Sequence, residues 1–157
     1  VLAVLGLVLL AAPAPRAAPP SDSLLIDVLG KVVVLRAGDL AALPHDTVQA
    51  SFHGGPTLTY SGVRLADVLR LVGVPIDTLH RPELVQRVLV EAADGYRVVF
   101  SLAELAPGIG DRTVIVADRR DGQPLPPTEA PWRLLVPGDG SHPRWARQVT
   151  ALRVRGD

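Results

Sequence analysis

"APWRLLVPGDGSHPRWARQVTALRV", residues 130–154, places two apolar strands on either side of a broken corner. In Trp132–Val136 the period of two puts Trp132, Leu134 and Val136 on one face and Arg133 and Leu135 on the other. Pro137-Gly138-Asp139-Gly140 stops the strand. Arg144 and Arg147 follow, on either side of Trp145. An arginine off the core face of a central strand must reach water, a carboxylate or an anion. Its guanidinium fork suits bidentate contact with phosphate or carboxylate. An open turn at 138–142 adds backbone N–H groups nearby. Alternatively, Arg133 pairs with a structural Asp or Glu on a neighbouring strand. The residues by themselves lean towards that ion pair.

Working outward, short strands and glycine turns dominate. "LLIDVLGKVVVLR" predicts two strands around Gly30-Lys31, followed by a short helix over about 38–43. Strands are expected at 47–52 and 57–60, with His53-Gly54-Gly55-Pro56 between them. "VRLADVLRLVG" carries Leu65, Val68, Leu69 and Val72 at i, i+3, i+4 and i+7, a single apolar helical stripe over 64–72. Gly73 and Pro75 supply its stop. An Asp94-Gly95 turn separates two strands. Ser101 and Glu104 then form a capping box for a short helix. "TVIVAD" reads as a buried strand, and Asp118-Arg119-Arg120-Asp121 as a solvated hairpin tip. "WRLLV" and "QVTALRV" are the last strands. With no βαβ alternation, this is an α+β, β-dominated domain with a mostly antiparallel sheet.

The chain has 157 residues, enough for one domain with a real core. Basic and acidic residues balance at 16 each, so no global field draws it to nucleic acid or an anionic membrane. Lys31 is the single lysine. Cysteine is absent, which excludes disulfides, thiolate nucleophiles, cysteine-ligated zinc and iron–sulfur clusters. His45, His53, His80 and His142 show no metal-ligand spacing, so no metal site is expected.

"VLAVLGLVLLAAPAPRAAPP" at the start is a separate matter. The apolar run is short for a membrane span and resembles the core of a secretory signal. Export to the periplasm or beyond is favoured over an uncleaved anchor, with no stable span after processing. Residues 1–23 are set apart as signal and Ala/Pro linker, and 24–157 as the folded domain.

Several patterns invite chemistry and carry little. Ser141, His142 and Asp139 are neighbours in sequence, but a catalytic triad is defined by geometry and no G-x-S-x-G elbow is present. Gly54-Gly55 and Gly138-x-Gly140 lack the dinucleotide fingerprint. Turn glycines explain both.

Four segments in order change the balance: "YSGVRLADVLRLVGVP", "EAADGYRVVFSLAEL", "ADRRDGQPLP" and "PWRLLVPGDGSHPRWARQVTALRV". Together they resemble the molybdopterin-binding domain of the sulfite oxidase family, over about residues 57–155 and more loosely from Leu24. The resemblance implies a β-dominated α+β domain of an oxidoreductase type that holds molybdopterin. It implies that Arg133, Arg144 and Arg147 approach the pterin and its phosphate, with Gly138 and Gly140 letting the backbone come close. It also implies a redox partner, here an exported one.

Family members bind molybdenum through a cysteine upstream of the Y-x-G-V-x-L segment. The corresponding stretch here is about 48–55, "VQASFHGG", with no cysteine. A thiolate is a soft anionic ligand that Ser51 or His53 does not reproduce. His53 is kept with the arginines and glycines as a candidate cofactor-binding residue. The expectation is therefore a domain holding a pterin in an arginine-lined cleft. The alternative is a non-catalytic module on the same fold, without molybdenum, binding a small anion or a partner.

Overall fold

The computed structural model describes residues 22–52 and 54–156. The signal-like run and most of the linker lie outside the described residues, as does His53.

Two five-stranded sheets form the domain, with the chain crossing between them. The first has the order β2-β1-β10-β5-β6. Its strands are β1 (Ser23–Val28), β2 (Lys31–Arg36), β5 (Arg87–Ala92), β6 (Arg97–Ser101) and β10 (Val149–Arg155). The second runs β3 (His45–Ser51), β4 (Thr57–Arg64), β7 (Ile115–Arg120) and β8 (Gln123–Pro124), with β9 (Arg133–Leu135) also paired to β7. Among the described strands only the β1–β10 pairing is parallel. The helices are short: α1 (Ala37–Ala41), α2 (Leu65–Leu71) and α3 (Leu102–Leu105), plus a 3-10 turn at Glu83–Val85. The β-dominated α+β class read from the sequence is the one observed.

The apolar stripe of α2 faces inward. Leu65, Val68 and Leu69 are fully buried, and Val72 packs against the same core. Burying each such side chain is worth about 1.5–3 kcal/mol over leaving it exposed. Leu65 N–H donates to Val114 O at 2.8 Å, tying the helix start to the approach of β7. Ser101 and Glu104 close the expected capping box on α3.

Two expected strands extend further than predicted. β4 continues to Arg64 instead of ending at Tyr60, because it is flanked by β3 and β7 and the ladder carries it to the helix. β7 runs on through Arg119 and Arg120, opposite Ser61 and Tyr60, so both belong to the ladder instead of the turn, Arg119 exposed and Arg120 half-buried. Asp121 instead accepts from Thr59 N–H at 2.8 Å, and Asp118 pairs with His45 at 3.6 Å.

The corner between β9 and β10 joins the two sheets. Leu134 N–H donates to Ala146 O and Val149 N–H to Trp132 O, both at 2.8 Å. Gln148 N–H donates to Glu129 O at 3.0 Å. These bonds fix residues 145–149 against β9 and against the loop that precedes it. No described helix is long and apolar enough to cross a membrane.

Candidate functional site

β9 is buried throughout, and of the partners open to Arg133 the ion pair is the one observed. The 7% exposure of Arg133 leaves water no role as its main partner. The guanidinium instead meets Glu129, Nη1 to Oε1 at 3.0 Å. Its carbon lies 4.2 Å from the centre of the Phe52 ring and 5.3 Å from that of Tyr60. A cation desolvated against aromatic faces gains electrostatically from the ring quadrupoles. The carboxylate partner expected on a neighbouring strand stands four residues upstream, in the loop before β9.

Glu129 is the centre of this cluster. Its Oε1 also accepts from Arg120 Nη1 at 2.9 Å and from the Tyr60 hydroxyl at 3.4 Å. Burial pushes the Tyr60 phenol above its ordinary value. Burial opposes the charge on Arg120, but Tyr60 and Glu129 outweigh it and hold that guanidinium above its ordinary value.

A cavity of about 400 Å³ opens beside the cluster, walled by Phe52, Tyr60, Glu129, Arg133, His142 and Arg147, with Leu58 and Trp145 completing it. Phe52 and Trp145 meet edge to face at 5.5 Å, and His142 and Trp145 do so at 4.5 Å. Arg147 is exposed and has no carboxylate within ion-pair distance among the described residues. A smaller recess of about 220 Å³ shares His142, Trp145 and Arg147 and runs on to Asp94 and Tyr96.

Arg133 and Arg147 therefore share one cavity, and Arg144 does not line it. Arg144 donates from Nε and Nη2 to the two oxygens of Asp139, at 2.9 and 2.6 Å, and from Nη1 to Glu104 at 2.9 Å. Its guanidinium lies 4.6 Å from the centre of the Phe100 ring. The Asp139 hydrogen bonds raise Arg144 above its ordinary value against the effect of burial, and Glu104 adds to them. Arg144 is thus a clasp on the corner, placed there by carboxylates the sequence did not pair with it.

Gly138 lies under the Arg112 side chain: a Cβ there would come 2.9 Å from Arg112 Nη1, with no ligand path implied. Gly140 has open space around its missing Cβ. Asp139 is occupied by Arg144 and Arg112, and His142 rests against Phe52 and Trp145. Ser141, His142 and Asp139 therefore form no relay.

The sequence reading missed Glu129, Phe52 and Tyr60. One signal was available: Glu129 is the only acidic residue between Asp121 and Asp139, in a segment dense in proline and apolar side chains. A lone carboxylate in such a segment has to be buried with a cation or turned out to water.

The described residues of the segment at 48–55 do not fit a metal-ligating role. Ala50 is buried, and Ser51 Oγ donates to Gly55 O at 2.9 Å. The described side chain that this segment sends into the cavity is the Phe52 ring, which has no ligand atom. Among the described residues no group of His, Asp or Glu is placed to hold a metal ion. A cysteine-ligated molybdenum has no ligand in this chain.

Comparison with known proteins agrees with the architecture. The sulfane dehydrogenase SoxCD from Paracoccus pantotrophus, a solved structure, superposes with a TM-score of 0.64 at 20% identity. The match covers 90% of this chain and 40% of that one, so the present chain spans less than half the length of its structural relative. No curated protein matches the sequence. The model of the oxidoreductase molybdopterin-binding domain matches residues 42–156, which take in the second sheet, the aromatic cavity and the clasped corner. The chain belongs to the oxidoreductase molybdopterin-binding domain family.

Proposed function

We propose that the cavity between Arg133 and Arg147 binds a small anionic ligand of the pterin type, and that it does so without a cysteine-held molybdenum. One observation carries this reading. Arg112, Arg120, Arg133 and Arg144 around the corner are each paired with a carboxylate, whereas Arg147 faces the same cavity as Arg133 with none among the described residues. An unpaired guanidinium at the mouth of an aromatic-walled cavity suits an anion carried on a planar body.

Family membership supports molybdopterin as the ligand class. A loaded molybdopterin would supply redox chemistry through its metal, and an exported redox partner belongs with that chemistry. The donor set here favours the second reading, a binding module that holds the anion alone. Export remains part of the proposal and rests on the apolar run at 1–12.

The test is to produce the protein in a host that makes molybdopterin, then measure metal content, pterin fluorescence and calorimetric binding of inorganic phosphate. Bound pterin or phosphate without stoichiometric molybdenum supports the reading. Stoichiometric molybdenum overturns its metal-free part, and absence of any anion binding overturns the whole. Fractionation of the native cells tests export, and a purely cytoplasmic protein sinks it.

A further inference from the structure

We propose that the open edge of β2 takes up an extended segment of a partner protein as an added strand, and that this segment is apolar at its centre and acidic at both ends. The site shares no residue with the cavity beside β9, so it stands apart from the anion-binding reading above.

β2 lies at the end of the first sheet and, among the described strands, pairs only with β1. Its outer side presents a row of backbone N–H and C=O groups with no ladder partner, a template for one more strand. The ladder with β1 runs without a bulge, and β2 contains no proline, so nothing in the backbone blunts this edge. Val32–Leu35 is a continuous apolar run, the pattern of a strand covered on both faces. Yet Val32, Val33 and Val34 are 51%, 40% and 50% exposed. The period of two puts Val32 and Val34 on one face and Val33 and Leu35 on the other, so both faces are apolar. Other edge strands of the domain are built differently. β3 is largely polar, and β6 alternates buried Val98 and Phe100 with exposed Arg97 and Val99.

An apolar groove of about 630 Å³ opens against the same strand, between Val33 and Leu35, the α1 segment with Gly38 and Ala42, and Leu71 and Val72 at the end of α2. In strand addition the main-chain hydrogen bonds supply affinity, and pockets for alternate side chains supply selectivity. The edge and the groove provide the two.

Charge chooses the occupant. Lys31 and Arg36 stand at the two ends of β2, both exposed, and neither has a carboxylate within ion-pair distance among the described residues. Opposite charges on neighbouring strands stabilise their pairing, and like charges oppose it. A second copy of β2 brings its own Lys31 and Arg36 to the seam and so adds cation to cation. A β-branched segment with an acid at each end complements the edge along its whole length.

Three peptides, N-acetylated and C-amidated, titrated into isotope-labelled protein and followed by its backbone amide resonances, test this. Glu-Val-Thr-Val-Thr-Val-Glu reads the same from either end, so it pairs in either orientation. Lys-Val-Thr-Val-Thr-Val-Lys reverses the end charges. Glu-Val-Thr-Pro-Thr-Val-Glu keeps the charge and removes a central N–H from the ladder. The first should shift the amides of Val32–Leu35 and of Leu71–Gly73. At low salt it should bind about tenfold tighter than the second, as two end pairs turn from attraction to repulsion. The third should leave those amides in place. Lys31→Glu should narrow the gap between the first two peptides, and Leu71→Gln should weaken the first. Both substitutions are at exposed positions, so melting temperatures should hold. Should either variant fail to fold, the three peptides on the unaltered protein still decide. Equal binding of the first two overturns the acidic-ended partner. Shifts at β2 that grow with protein concentration alone show a second copy on the edge and overturn the proposal. No shift at β2 with any peptide overturns the strand site itself.

Discussion

Arg144 holds both carboxylate oxygens of Asp139, and through them the Pro137–Gly140 corner, while its third nitrogen reaches Glu104 of α3. The clasp closes the turn onto α3, 40 positions earlier in the chain, and leaves this guanidinium no free edge for a ligand. Arg144→Ala should therefore cost about 1–3 kcal/mol of stability, the range for charge-assisted hydrogen bonds lost at a half-buried site. Phosphate affinity should stay unchanged. Denaturant unfolding paired with calorimetry measures both, and a loss of affinity with unchanged stability would return Arg144 to the binding site.

The acid limit of the fold should involve Asp27. The hydrogen bond from Arg155 is the main cause that holds its carboxyl down, from the ordinary 3.8 to about 2, against burial and with help from Gly30 N–H and Arg153. A depressed carboxylate contributes stability that is fully present above its unfolded value. That contribution disappears as pH falls from about 4 through about 2. Melting temperature should drop across this window, and Asp27→Asn should flatten that drop. Asp139 is lowered in the same direction by Arg144, so the variant should reduce the slope without abolishing it.

Gly62 sits inside β4 where the β4–β7 register shifts, and a Cβ there would meet Val116 O at 2.3 Å and Ala117 Cα at 2.4 Å. Backbone has no side-chain rotamer to yield. Gly62→Ala should destabilise by about 1–3 kcal/mol or more, as overpacking does. Gly140→Ala, with open space around it, is the control and should be close to neutral. Thermal melts of the two variants make the comparison.

How much of this was legible follows from how local each signal is. The α2 stripe, the Asp94-Gly95 turn and the Ser101–Glu104 box depend on neighbours within a few residues, and the structure keeps them. The ion pair expected for Arg133 is present, but its burial and its partner Glu129 were hidden, because the period of two assigns faces without saying whether a strand is covered on both sides. β9 is covered on both by residues far along the chain, Phe52 and Tyr60 among them. The same limit hid the Arg144–Glu104 contact, which spans 40 positions. The family segments were readable because their order along the chain is itself information. The missing thiolate was equally plain.

Leu69 makes the local reading quantitative. It is fully buried on the face the stripe assigned to the core. Leu69→Ala should cost about 2–5 kcal/mol. A loss below about 1 kcal/mol in denaturant unfolding would mean the pocket left by the side chain collapses almost completely.

Arg133 and Arg147 share a cavity but should respond oppositely to truncation, because one is buried in an ion pair and the other is exposed and has no ion-pair partner among the described residues. Arg147→Ala removes no internal contact, so the melting temperature should hold. Phosphate binding should weaken by about 1–2 kcal/mol, the charge-assisted range trimmed for exposure. The wild-type affinity should fall with added salt, since a rim cation is screened within about 8–10 Å at physiological ionic strength. Arg133→Ala leaves Glu129 buried with Arg120 as its remaining cation and strips the cation from the faces of Phe52 and Tyr60. Breaking one side of a buried pair costs about 3–5 kcal/mol, so that variant should melt far earlier. Melts and phosphate titrations of both variants in low and high salt separate the roles. If Arg147→Ala binds phosphate as well as the unaltered chain, the unpaired guanidinium is only a solvated surface group, and the anion site loses the residue on which it rests.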